Sequence, residues 1–248
     1  PQIVDLYGSR GFGAIAITDH LCETSTVLGK AAGYLNQTLT KATFPLYREI
    51  LRTEAIRARR EYDLLLIPGM ELTKNTLRNQ RSAHVLALGV TEWIDANLSI
   101  EEICDAIHAR GGLAVAAHPV PTRRLEKQTY FLWDRREHFA PYFDAWEVAS
   151  GRVIFDEVLA SGLPMVANSD LHRASQIESW KTVFPGERLD FEGVARALRA
   201  QDIVFEYYGL EEKRKLAHGT YLESHHVSVR PDLALRSRAL RAQHVACD

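Results

Sequence analysis

Imidazoles and carboxylates stand at the ends of several short apolar runs of this chain. The run "AIAI" leads, with no glycine or proline between, into Thr18, Asp19 and His20. "LLLIPGM" leads to Glu71, "HVLALG" starts at His84, "LAVAA" ends in His118-Pro119, and "PMVANS" ends in Asp170-Leu171-His172. The other histidines, His108, His138, His218, His225, His226 and His244, fall in helical, loop or tail segments. Imidazole and carboxylate without thiolate form the ligand set of zinc, manganese or iron rather than of a structural zinc knot. These donors exceed the needs of one ion, so two or three are expected, with Glu71 or Asp170 as a bridge. Clustered metals suit phosphoester hydrolysis, in which one ion activates water and another stabilises the leaving oxygen.

Positioning these groups requires strands that end on a common rim. Apolar runs alternate with helical patterns along the chain. The segment "PQIVDLYGSRG" reads as a helix with Ile3, Val4 and Tyr7 on one face, and residues 45–63 as a charged amphipathic helix with Leu46, Ile50 and Leu51 periodic. Ser99 and Glu102 have the spacing of a capping box, with Gly111 or Gly112 closing that helix. "AWEVA" and "IVFEYY" read as strands, residues 152–162 as a helix, and Asp190 as the cap of the helix after it. Strand-helix alternation with apolar strands predicts a mostly parallel sheet buried on both faces, as a barrel or an open doubly wound sheet. Ligands gather at the carboxyl ends of the strands in both. A β/α unit should open on a strand, yet this sequence opens on a helix and on Pro1, so a first strand is expected to be missing from it.

The bulk properties exclude other classes. At 248 residues the chain suits one large domain, and its net charge of -2 gives no electrostatic reason to expect a nucleic-acid surface. Cys22, Cys104 and Cys247 are too scattered for a disulfide framework, which points to a reducing, cytoplasmic setting. No apolar run approaches the ~20 residues needed to span a bilayer, so no membrane partner is expected. The oligomeric state is not legible.

"ITDH", "PGMELT", "AHP" and "NSDLH", in this order and with His84 between the second and third, resemble the PHP (polymerase and histidinol phosphatase) superfamily. The resemblance covers residues 1 to about 210. It implies a distorted (β/α)7 TIM-like barrel over 1–215, a basic C-terminal extension over 216–248, and a metal-dependent phosphoesterase with two or three divalent ions. By that resemblance His20 is a ligand, Glu71 is the bridging carboxylate, and His84 and His118 share its metal. Asp170 and His172 each serve a different ion. The family opens with a strand carrying His-x-His, and no histidine precedes His20 here. The strand missing from the alternation and the missing motif are thus one element. The expected substrate is a small phosphorylated molecule or nucleotide.

Other residues carry weaker signals. Asp19 suits a place behind the ligands, orienting an imidazole. Arg123, Arg124 and Arg173 follow motif residues and can clamp a phosphate bidentately; Lys74 is similar. The aromatic segment from Tyr130 to Phe143 suits core packing more than a pocket wall, Cys22 an inert thiol, and His225-His226 an exposed tail. Two alternatives compete with the phosphoesterase reading. An amidohydrolase-type metal hydrolase of C–N or C–O bonds would favour a lysine bridge where Glu71 stands. A catalytically incomplete module with a scaffolding role would use the basic tail for interaction.

Overall fold

The computed structural model describes residues 1–27, 31, 38–75, 82–120, 130–184, 189–209 and 227–228. In chain order the elements are α1 (Gln2–Gly8), β1 (Ala14–Ile17), β2 (His20–Cys22), α2 (Phe44–Tyr62), β3 (Leu65–Lys74) and β4 (Ala83–Leu88). There follow α3 (Ile100–His108), β5 (Leu113–Ala116), α4 (Tyr130–Asp134), α5 (Arg136–Phe139), β6 (Ala145–Ser150) and β7 (Val153–Ile154). The remainder is α6 (Asp156–Leu159), β8 (Met165–Asn168), β9 (Ser179–Val183), α7 (Phe191–Ala200), β10 (Val204–Tyr208) and β11 (Val227–Ser228). Arg123, Arg124, His218, His225, His226, His244, Cys247 and all of the 216–248 extension except β11 lie outside the described residues.

Local chemistry sets the helix ends. The Ser99 hydroxyl accepts from the Glu102 amide at 3.2 Å while the Ser99 amide donates to Glu102 Oε2 at 2.8 Å, a complete capping box on α3. The Asp190 carboxylate accepts from the Gly193 amide at 2.7 Å, capping α7.

The main sheet is mixed rather than mostly parallel. β1 and β2 both run parallel to β3, and β6 lies parallel between β5 and β8, but β4 is antiparallel to both β3 and β5. The cause is the short link between β3 and β4, since a parallel crossover needs a dozen or more residues. β9, β10 and β11 form a separate antiparallel sheet. Ala16 of β1, Ile67 of β3, Leu86 of β4, Glu147 of β6 and Val166 of β8 line one cavity, so the main sheet curls around a common interior. Within the described residues β1 has β3 as its only strand partner, and the sheet is an open path rather than a counted seven-stave barrel.

Three sequence expectations give way to packing. Leu46 and Ile50 are exposed on α2, which instead buries Phe44, Leu51 and Ala58; Ile3 is likewise exposed on α1 while Val4 and Tyr7 are buried. β1 buries only Ile15 fully, and all four of its residues line the open cavity. Residues 152–162 form a short strand and one helical turn, β7 and α6, rather than one helix. The aromatic segment does pack into the core: Trp133, Phe139 and Phe143 are buried, and none lines the cavity.

Replacing Leu72, fully buried in β3, with alanine is expected to destabilise the fold by about 2–5 kcal/mol. Leu46→Ala, on the exposed face of α2, is expected to change stability by no more than about 0.5 kcal/mol. Urea denaturation of the two variants checks the assignment of that face.

Candidate metal centre

β3 is the element from which the site is built. Its carboxyl half carries Glu71, whose register partner on β2 is His20. Because β4 runs antiparallel, its first residues lie against the end of β3, with His84 opposite Thr73. A histidine at the start of one strand thereby joins carboxyl-end residues of its neighbours. β5 ends just before His118, whose backbone is left-handed at φ 27 ahead of Pro119. β8 ends just before Asp170, also left-handed at φ 45. The other two non-glycine residues with positive φ among those described, Asp63 and Gln201, are ordinary helix C-caps. Backbone strain of this kind collects at functional sites.

Glu71 Oε1, His84 Nδ1 and His118 Nε2 lie within 4.8 Å of one another, and Glu71 and His84 are buried. His84 Nδ1 is 2.7 Å from Glu71 Oε1 and 2.8 Å from His118 Nε2. Glu71 Oε1 nonetheless receives no properly directed hydrogen bond. A carboxylate oxygen and two imidazole nitrogens crowded together, the oxygen buried and orphaned, fit a divalent cation that takes the place of their protons. Burial alone would raise the Glu71 carboxyl, but the close approach and charge of His84, with the charges of His20 and His118, outweigh it and hold the group at about 2. Burial lowers His84. For His118 burial works the same way but is outweighed by Glu147, which lifts the imidazole to about 9.

A second layer holds these donors. Glu147 is buried in β6; it accepts the His118 backbone N–H, and its Oε2 lies 3.5 Å from His118 Nδ1. That leaves Nε2 to face the cluster, the usual way a carboxylate orients a ligating histidine. His84 Nε2 is 3.2 Å from Asn75 Oδ1, and His20 Nδ1 is 2.8 Å from Thr73 Oγ1. Glu147, Thr73 and Asn75 are absent from the sequence expectations. For Glu147 a signal existed: an acid in the middle of the apolar strand "AWEVA".

The remaining expected residues fall in two groups. His20 Nδ1 stands 3.7 Å from Glu71 Oε1, and the His20 ring is 5.9 Å from that of His84 and 6.1 Å from that of His172. Asp19, His20, Glu71, His118, Glu147, Asp170 and His172 all line the same cavity of about 710 Å³. The backbone turns at Asp170, and its carboxylate lies 3.6 Å from His172 Nδ1. The hydrogen-bond partner of the His20 imidazole is the Thr73 hydroxyl rather than Asp19. Arg173 is exposed and does not line the cavity, and Arg124 lies outside the described residues. Lys74 instead bonds the Ala96 carbonyl at 2.9 Å and pairs with Glu23 at 3.5 Å. The Cys22 thiol is pushed up by burial, in keeping with an inert group.

Burial pushes Lys181, on the cavity wall, down to about 8, whereas an unfolded lysine titrates near ~10.4. Between those values the unfolded chain holds a proton that the folded one lacks, so stability rises with pH across that window. Lys181→Met is expected to abolish the rise and to raise the urea midpoint at about pH 7, where the wild type must bury a charge.

No protein-family model matches the chain, and no curated protein matches it. Among solved structures it is similar to a two-domain protein from Bacteroides vulgatus, described as containing a predicted PHP-like metal-dependent phosphoesterase. The identity is 16% and the TM-score 0.52, over 86% of this chain and 63% of the other. The chain thus spans under two thirds of that neighbour, and the likeness is one of fold.

Proposed function

We propose that this chain is a metal-dependent hydrolase of phosphoesters, acting on a small phosphomonoester or on a nucleotide or oligonucleotide phosphodiester. The observation that carries the reading is the approach of Glu71 Oε1, His84 Nδ1 and His118 Nε2 to within 4.8 Å of one another, with Glu71 and His84 buried. These three would hold one divalent ion, and His20, Asp170 and His172 on the same cavity wall would hold one or two more. Manganese, zinc and iron all suit such donors. When bound, the ions supply Lewis acidity that activates water and neutralises charge on the phosphoryl oxygens. The similarity in fold to a protein described as PHP-like supports the same reading.

The chain's own residues do the rest. Glu71, held at about 2, stays ionised across the neutral range and gives the centre its fixed negative charge. Glu147 keeps His118 in place, and Thr73 keeps the His20 ring turned toward Glu71. A cavity of about 710 Å³ lies within the roughly 300–1,000 Å³ usual for small-molecule sites. A carboxylate rather than a lysine at the bridging position favours phosphoester over amide hydrolysis. The free thiols of Cys22 and Cys104 suit a cytoplasmic setting.

The test is metal content by elemental analysis, with turnover of p-nitrophenyl phosphate and bis-p-nitrophenyl phosphate. Divalent metal in the purified protein and metal-stimulated turnover of one substrate are expected. Glu147→Gln should lower metal affinity about 10–100-fold, and Glu71→Gln or His118→Ala should lower it further. No bound metal and no turnover on either substrate would overturn the proposal.

A further inference from the structure

The strand that delivers His20 is interrupted just before it. β1 stops at Ile17 and β2 starts at His20, both paired parallel to β3, and the same register resumes across the gap: Ile17 faces Pro68, and His20 faces Glu71. No residue is gained or lost, so the interruption is not a bulge. The ladder on either side is regular, with the Leu65 amide donating to Gly13 O at 2.9 Å and the Glu71 amide to Asp19 O at 3.0 Å. In a parallel ladder of this phase the next bond would run from the Asp19 amide to the Gly69 carbonyl. A side chain occupies that place instead. The Tyr47 hydroxyl, reaching in from α2, accepts from the Asp19 amide at 3.4 Å and donates to Gly69 O at 2.9 Å, with Ile17 O at 3.2 Å. The crossing leaves no spare room: a Cβ on Gly69 would lie 2.4 Å from the Ala87 carbonyl and 3.1 Å from Thr18 Cγ2.

We infer that Tyr47 is a positioning residue, its hydroxyl a wedge that holds the ladder open at Thr18–Asp19 and so sets where His20 enters the metal centre. The inference rests on the reading of His20 as a metal-facing residue. The wedge itself rests on the three hydrogen bonds and the uninterrupted register. Burial, with the neighbouring Asp19, pushes the phenol above its ordinary range, so the hydroxyl keeps its proton and remains able to donate. Without the hydroxyl, the Asp19 amide and the Gly69 carbonyl are free to close on one another. The strand would then zip through residues 17–20 and draw the His20 backbone toward β3.

Tyr47→Phe removes the wedge and keeps the ring. Tyr62→Phe is the control: Tyr62 lies on the same helix and donates to Asp5 Oδ1 at 3.0 Å, away from the cavity. Amide exchange of Asp19 in metal-free protein is the first readout, and zinc affinity by chelator competition is the second. Tyr47→Phe is expected to slow Asp19 exchange at least about tenfold, as a ladder bond forms, and to weaken zinc binding about 10–100-fold, the range for loss of an outer-shell partner. Tyr62→Phe should change neither. Unchanged or faster Asp19 exchange in Tyr47→Phe would overturn the wedge, as would equal loss of zinc affinity in both variants. Failure of the wild type to bind zinc would count against the metal reading of the site and leave the exchange result to decide the wedge.

Discussion

A buried carboxylate oxygen with one imidazole nitrogen at 2.7 Å and a second at 3.9 Å is a costly arrangement unless positive charge sits among them. Glu71 Oε1, His84 Nδ1 and His118 Nε2 are in that position. Protons can meet part of the demand, since one imidazole can donate to the other or to the carboxylate. As the side chains stand, Oε1 receives no properly directed hydrogen bond. A divalent ion can accept from all three at once. The surrounding packing makes sense on those terms: it fixes three donors that would otherwise repel or turn away.

The mixed sheet is what allows the convergence. Had β4 been parallel to β3, His84 would stand at the far end of the sheet from Glu71. The antiparallel pairing of β4 with β3 sets His84 opposite Thr73, two positions along from Glu71. Around this frame each donor is restrained from behind, His118 by Glu147, His84 by Asn75 and His20 by Thr73. The left-handed turns at His118 and Asp170 let the chain change direction as it leaves β5 and β8, so that both residues reach the cavity wall. Such conformations persist only where neighbouring contacts hold them.

Much of this was legible in the residues. Apolar runs located β1, β3, β4, β5, β6 and β8, and the Ser99 and Asp190 caps were readable from side-chain chemistry alone. The histidines and acids at the run ends do line one cavity, except His84, which is buried against Glu71 and His118. Strand direction was not legible, because periodicity reports which face is buried and is silent on parallel against antiparallel pairing. Leu46 and Ile50 misled for a related reason: a periodic apolar pair on a helix does not say which of two faces meets the sheet, and Phe44, Leu51 and Ala58 take that role. Tyr47 and Thr73 were invisible, since each acts through a hydrogen bond to a residue distant in sequence.

The central claim is that Glu71, His84 and His118 share an ion. Anomalous diffraction from crystals of the full chain grown with zinc, recorded on both sides of the zinc absorption edge, tests it most directly. The account expects a peak within about 2.0–2.3 Å of Glu71 Oε1, His84 Nδ1 and His118 Nε2. A peak confined to other residues, or none at this cluster at saturating zinc, would contradict it.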